Sequence, residues 1–295
     1  MRCRDIATHL LVCLGCWLAA TGCSDSPFGG PLRILPSDSD PAWSPDGQWI
    51  AFSHEDSTFG TWGVYVARID GTGRRRVSTL GGDPDWSPDG SRLLLSNSTR
   101  LLVLDLAASA VTQLADSGFS AWGAWSPDGQ TIAFLSDGVY GGGSAGVWLM
   151  QADGTRPRRL PSERGSYFDW APSGDKLVFT GERLIVRDTL GADTLWLTAT
   201  RGTYDPAWSP TGEWIAYARY FSGREIRLVR PDGTGDHFLV GGMYPTWSPD
   251  GQRVAFSRYT GDEVAIWSVD LNGRNLQQLS WPTTPAPLTR PPRYR

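Results

Sequence analysis

Trp43-Ser44-Pro45-Asp46-Gly47, followed by Gln48-Trp49-Ile50-Ala51-Phe52, is the stretch on which the fold turns. Ser, Pro and Gly at the first, second and fourth places of Ser44 to Gly47 are what a type I turn asks for, since Pro presets φ and Gly relaxes the exit. Ile50-Ala51-Phe52 is a short apolar run of the kind a buried strand carries. One such unit predicts a hairpin and nothing larger.

The unit recurs. A Trp precedes a Pro-and-Gly turn at Trp43, Trp86, Trp125, Trp170, Trp208 and Trp247, at intervals of 43, 39, 45, 38 and 39 residues. Four copies keep Ser-Pro-Asp-Gly intact (from Ser44, Ser87, Ser126 and Ser248), and two depart from it as Ala171-Pro172-Ser173-Gly174 and Ser209-Pro210-Thr211-Gly212. Each turn is followed by an apolar run, then by a third run such as Val64-Tyr65-Val66 or Val264-Ala265-Ile266. A second turn such as Asp70-Gly71 or Asn272-Gly273 often precedes a fourth run such as Arg76 to Leu80. Four antiparallel strands repeated six times at this period predict an all-β chain, a six-bladed β-propeller of four-stranded antiparallel blades. Radial stacking then covers sheet faces that one unit leaves bare. The recurring Trp residues are expected to pack between blades.

The Trp-Ser-Pro-Asp-Gly unit resembles the repeat of the TolB-type propellers, over about residues 31 to 281. TolB carries an α/β domain ahead of its propeller. Here only Ser24 to Pro31 separate Cys23 from the first strand candidate, Leu32 to Leu35, so the resemblance implies the propeller without that domain. Repeats of this family also occur in bacterial envelope proteins and beside protease domains, so the likeness implies a fold and leaves function open.

Composition narrows the field. The 295 residues are 40% hydrophobic and 20% charged, with 35 Gly, 21 Pro and 15 Trp, a mixture suited to short strands and turns and against a helical bundle. A net charge of −4 lacks the clustered Lys and Arg that neutralise phosphates, so nucleic acid is not expected as a partner. All four cysteines, Cys3, Cys13, Cys16 and Cys23, lie in the first 23 residues. Arg2 and Arg4, the apolar stretch Ile6 to Ala20, and the small residues Ala20-Thr21-Gly22 describe residues 1–22 as a signal peptide. With Cys23 next, the segment resembles a lipobox of bacterial lipoproteins, which implies lipidation at Cys23. Ser24 in place of Asp implies the outer membrane, with the folded part facing the periplasm. Residues 23–30 form a short linker, the propeller occupies 31–281, and residues 282–295 read as a flexible tail rich in Pro and Arg.

For function, the tight turns between first and second strands and between third and fourth share one face, and the variable loops, His54 to Gly63 and Asp137 to Gly146 among them, share the other. Strand alternation places the third and first positions before each Trp on one side of the innermost strand, beside the central channel. The third position holds Asp40, Asp83, Trp122, Tyr167, Asp205 and Tyr244; the first adds Asp85 and Asp169. Two such charges ~8 Å apart at an effective dielectric of ~20 repel by about 2 kcal/mol, which water, protonation or a bound cation relieves. Asp40, Asp83 and Asp205 each precede a Pro and are expected to cap backbone donors. Asp85 and Asp169 are the stronger candidates for ligand contact, with the three aromatics as interface surfaces.

No catalytic set is expected. Gly142-Gly143-Ser144-Ala145-Gly146 matches a nucleophile elbow only formally, because it lies between strands. Calcium is the cofactor that stays open, since several carboxylates could converge on one ion. The expectation is a lipid-anchored envelope protein whose propeller is a non-catalytic platform for an envelope protein partner. The alternatives are a periplasmic receptor for a sugar, a cationic peptide or a metal, and a calcium-dependent propeller hydrolase.

Overall fold

The computed structural model describes residues 36–56, 61–97, 100–115, 120–136, 146–160, 167–180, 183–190, 194–197, 202–220 and 223–281. Among these residues there is no helix, and the strands fall into six groups of four. Blade one is β1 (Ser37–Trp43), β2 (Trp49–Asp56), β3 (Thr61–Arg68) and β4 (Arg75–Ser78). Blade two is β5 (Gly82–Trp86), β6 (Arg92–Asn97), β7 (Arg100–Asp105) and β8 (Ala110–Ala115). Blade three is β9 (Ser120–Trp125), β10 (Thr131–Ser136), β11 (Gly146–Gln151) and β12 (Arg158–Arg159). Blade four is β13 (Tyr167–Trp170), β14 (Lys176–Thr180), β15 (Leu184–Asp188) and β16 (Thr194–Trp196). Blade five is β17 (Thr203–Trp208), β18 (Ile215–Arg219), β19 (Glu225–Val229) and β20 (His237–Gly241), and blade six is β21 (Met243–Trp247), β22 (Arg253–Thr260), β23 (Glu263–Asp270) and β24 (Gln277–Gln278). Pairing within each blade is antiparallel and follows chain order. The innermost strands neighbour one another around the ring, β21 against β1 included.

The six Pro-and-Gly turns form as expected, and the hydrogen bonds say why Ser leads the motif. Gly47 N–H donates to Ser44 C=O at 2.9 Å with Gly47 at φ 70°, where a Cβ would be strained. The buried Ser44 hydroxyl accepts the Trp49 N–H at 2.9 Å and donates to Asp46, whose carboxylate also accepts the Gln48 N–H. These bonds hold the Asp46 carboxyl below the usual range. Ser87-Asp89, Ser126-Asp128 and Ser248-Asp250 repeat the arrangement. In blade four Ala171 has no hydroxyl, and Ser173 bonds to Asp175 instead.

The core is divided. Six apolar clusters are each shared by two consecutive blades, for example Leu94 and Leu101 of blade two with Trp125, Phe134 and Trp148 of blade three. The last joins Ile50 and Phe52 of blade one to Ala255, Ile266 and Leu279 of blade six, which closes the ring through packing. The recurring Trp residues stand at these boundaries as expected. Trp86, Trp170 and Trp247 each send the indole N–H to a carbonyl of the preceding blade's inner strand, Ala42, Ala124 and Ala207, at 3.1, 3.2 and 2.9 Å.

Closure also uses the backbone. Each blade supplies its own fourth strand, and Ser37 makes a parallel bridge to Val264 on the edge of β23 that β24 also uses. Leu32 to Leu35, the first strand candidate, lie outside the described residues. Polar contacts complete the seam: Arg74 donates to both carboxylate oxygens of Asp38, at 2.9 and 3.1 Å, and to Trp281 C=O at 2.7 Å. His54 Nδ1 stands 2.7 Å from the fully buried Asp38 carboxylate. His54 is therefore a buried residue of β2 and not the start of a variable loop; that connection is confined to residues 57–60, because β2 runs on to Asp56 and β3 begins at Thr61. Asp137 to Ala145, with the glycine-flanked Ser144, lie outside the described residues.

Candidate functional site

All eight channel residues named from the repeat line one cavity of about 180 Å³, together with the residues between and beside them on the six innermost strands. It opens away from the turns. A second cavity of about 310 Å³ toward the turn face shares Asp169, Ala207 and Thr246 with the first and is walled by Trp43, Trp125, Trp170, Trp208 and Trp247 and five of the turn prolines.

Simple alternation does not deliver this arrangement. In five blades an irregularity in pairing spans these positions: Ser39 opposes Ser53 and Ala42 opposes Ala51, so one extra residue is inserted on β1. Breaks of the same kind occur in blades two, three, five and six. The third position before Trp carries the cost, with Asp40, Asp83, Trp122, Asp205 and Tyr244 all left-handed at φ 52°, 45°, 43°, 46° and 53°. Non-glycine residues occupy that region at a cost of roughly 1–3 kcal/mol each, and it is concentrated here at one mouth. Only blade four of the six is regular at these positions: Tyr167 to Trp170 pair in step with Thr180 to Leu177.

Three of the five carboxylates cap a backbone donor on the next blade: Asp205, as expected of an Asp before Pro, and also Asp85 and Asp169. Asp85 Oδ2 accepts the Trp125 N–H at 2.7 Å and Asp169 Oδ2 accepts the Trp208 N–H at 2.6 Å, so these two tie their blade to the next. The three that precede Pro also meet hydroxyls: Asp40 accepts from Ser39 at 2.7 Å, Asp83 from Ser96 at 2.9 Å, and Asp205 from Tyr220 at 3.0 Å in addition to the Tyr244 N–H. Proline sets the direction of the chain at each, and the left-handed residue before it turns its carboxylate to the mouth.

Every one of the five is pushed above the ordinary carboxylate range. For Asp85, Asp169 and Asp205 desolvation is the main cause and lifts the value to about 7, with Asp169 adding repulsion at Asp85 and Asp83 adding it at Asp205. Asp40 and Asp83 are raised by the same loss of water, and Asp40 also by the charges of Asp83 and Asp205. No Lys or Arg lines the cavity among the described residues. Among the described residues no group of three His, Cys, Asp or Glu side chains is gathered that could hold a metal ion.

Aromatic rings continue the wall. Trp122 meets Tyr167 edge-on at 4.7 Å, Tyr167 meets Tyr204 at 6.1 Å, and Tyr204 stacks on Tyr220 at 4.8 Å. Tyr204 and Tyr220 were not anticipated from the repeat. The available signal was the fourth position before each Trp, where Ser39, Gly82, Ala121, Ser166 and Met243 leave Tyr204 as the single aromatic. Neither His54 nor His237 lines the mouth; His237 opens the outermost strand β20 and bonds to Gly235 C=O. The arrangement suits capture of a cationic or extended chain, with carboxylates and aromatic faces interspersed around the opening.

Fold and mouth together define a six-bladed β-propeller with one face of uniform turns and one acidic, aromatic opening. The sequence profile described as the TolB beta propeller domain (PD40) matches residues 39–241, more than half of the chain, and the chain belongs to that family. An uncharacterized protein of Agrobacterium fabrum, Atu1656, is 32% identical over 154 residues, which cover 48% of this chain and 52% of that protein. The chain thus spans about half the length of the curated relative it matches. A structure assigned as TolB from Agrobacterium tumefaciens is similar at 27% identity and TM-score 0.64, covering 72% of this chain and 86% of its own. TolB from Acinetobacter baumannii shares the fold at 18% identity and TM-score 0.65, covering 82% of this chain and 63% of its own.

Proposed function

We propose that this protein is a lipid-anchored propeller of the bacterial cell envelope, held at Cys23 on the outer membrane facing the periplasm, and that it serves as a non-catalytic platform for an envelope protein partner. The observation that carries the reading is the mouth: five desolvated carboxylates and a run of aromatic rings gather there, and the third position before Trp is held left-handed in five of the six blades. The family match supports a propeller of this type, and a grafted surface supplies its specificity.

The test is affinity capture of envelope proteins on the immobilised chain beside a variant with Trp122→Ala and Tyr244→Ala. These two spare the carboxylates that tie blades together. A protein retained by the parent and lost on the variant supports the platform; identical sets on both remove the mouth as a docking site. Metabolic labelling with a fatty acid, present in the parent and absent in Cys23→Ala, tests the anchor. Reception of a cationic peptide is the second reading, favoured by the cavity's acid and the Trp122–Tyr167–Tyr204 contacts. Titration calorimetry with basic peptides, glycans and calcium separates it from sugar and metal binding.

A further inference from the structure

Two parts of this chain have complementary chemistry. Beyond Trp281 the sequence runs Pro282-Thr283-Thr284-Pro285-Ala286-Pro287-Leu288-Thr289-Arg290-Pro291-Pro292-Arg293-Tyr294-Arg295, with five prolines, three arginines and no acidic residue. The mouth is the reverse: Asp40, Asp83 and Asp205 of blades one, two and five are interspersed around it with Trp122, Tyr167 and Tyr244 of blades three, four and six, Tyr204 stands beside Asp205, and no basic side chain lies among the described lining residues. Proline-rich segments are predisposed to the extended polyproline conformation, and aromatic-lined grooves take them up with little further ordering. Arginines flanking the prolines then select a groove with carboxylates beside the rings.

Reach is adequate. Trp281 follows β24, the outermost strand of blade six, and is fixed there by its carbonyl's bond to Arg74 at 2.7 Å. From β24 inward to β21 is three strand spacings, about 15 Å. Arg290 lies nine positions beyond Trp281, and at ~3.1 Å per residue in a polyproline conformation nine steps extend about 28 Å. The Trp281 ring lies against Gly71 in the turn between β3 and β4 of blade one, so the path also crosses part of a blade's height, a distance that about 28 Å of chain still allows before Arg290 reaches the mouth.

We infer that the tail segment Arg290-Pro291-Pro292-Arg293-Tyr294-Arg295 docks in the acidic, aromatic mouth of its own propeller, as an intramolecular occupant that an external partner must displace. The inference rests on the reading of the mouth as a binding surface and adds how access to it is regulated. A tethered segment acts at an effective concentration in the millimolar range, so even a weak contact keeps the mouth largely filled. An external ligand then meets an apparent affinity lowered in proportion to the fraction of open mouth.

A synthetic peptide of residues 282–295 tests this against two full-length chains, the parent and one carrying Arg290→Glu, Arg293→Glu and Arg295→Glu. The substituted chain has an open mouth and is expected to bind the peptide about tenfold or more tighter than the parent, whose own tail competes. A peptide with a photoreactive benzophenone at the place of Tyr294 is expected to cross-link to the substituted chain within residues 122–124, 167–169, 204–206 or 244–246. This mapping needs no change in the mouth, so a misfolded variant cannot confound it. Equal affinity for both chains, no binding to the substituted chain, or cross-links confined to the turn face or blade rims would each overturn the inference. Its failure is distinguishable from that of the platform reading: the substituted chain still offers a mouth on which partner capture is scored separately.

Discussion

Asp85 Oδ2 accepts the backbone N–H of Trp125 at 2.7 Å, 40 positions along the chain and one blade away. Asp169 repeats the contact with Trp208 at 2.6 Å, 39 positions on. A side chain at the channel wall thereby satisfies a donor on the neighbouring blade's inner strand, and the same carboxylate that faces the mouth also sets the spacing of two blades.

Asp85→Ala leaves the Trp125 N–H without its acceptor, a loss of about 1–3 kcal/mol. Asp85→Asn retains an oxygen in the same place and is expected to cost less than half of that. Urea unfolding of the two variants checks it; equal losses would show that charge or packing, and not this hydrogen bond, is what matters.

Stability is expected to fall as pH rises from about 4 to about 7. Asp85, Asp169 and Asp205 are raised in the fold to about 7 from an unfolded value of 3.8, so the folded chain holds more protons in that interval and unfolding becomes easier as they leave. The turn carboxylates Asp46, Asp89, Asp128 and Asp250 are lowered, and their contribution is lost only below that window. Asp205→Asn is expected to raise the melting temperature at pH 8 and to leave it nearly unchanged at pH 4. A gain of equal size at both would refute the assignment.

Blade four lacks the turn hydroxyl that the other five possess. The pair Ala171→Ser and Ser173→Asp rebuilds Ser-Pro-Asp-Gly there, giving the Lys176 N–H an acceptor of the kind Ser44 offers Trp49. The expected gain is about 1 kcal/mol, or about 2 °C in melting temperature. Calorimetry decides it, and an unchanged or lower Tm would mean that blade four is shaped for Ala171.

Arg74→Ala strips the guanidinium from a carboxylate that is fully buried at the ring seam. Removing one member of such a pair costs about 3 kcal/mol or more, and Arg74→Lys is expected to recover only part, because an ammonium cannot bridge both Asp38 oxygens and the Trp281 carbonyl in the same way. Limited proteolysis provides a second readout: opening of the seam exposes cleavage near β1 and β24 first.

Much of the fold is legible because its determinants are local. Ser44 bonds to residues two and five places away, Gly47 needs a left-handed φ at a fixed offset, and Ile50-Ala51-Phe52 follows at once. Six copies of those short-range rules are visible in the order of residues, and so is the set of positions that line the mouth. The bulge was not visible, since an extra residue on β1 is defined only against its partner β2. Tyr220 was equally hidden, as its place beside Tyr204 and Asp205 depends on where the loop after β18 returns.

Repeat number, blade architecture, the turn chemistry and the identity of the mouth residues all follow from the order of amino acids, because each rests on contacts a few positions apart repeated at a constant period. The roles of those mouth residues do not. Asp85, Asp169 and Asp205 became ties between blades as well as desolvated acids of the opening, Asp40 and Asp83 met hydroxyls there, and Asp38, His54 and Arg74 became the lock of the seam. Each outcome depends on which group of a neighbouring blade arrives within ~3 Å and how much water remains, and only the packed ring sets those distances and that dielectric.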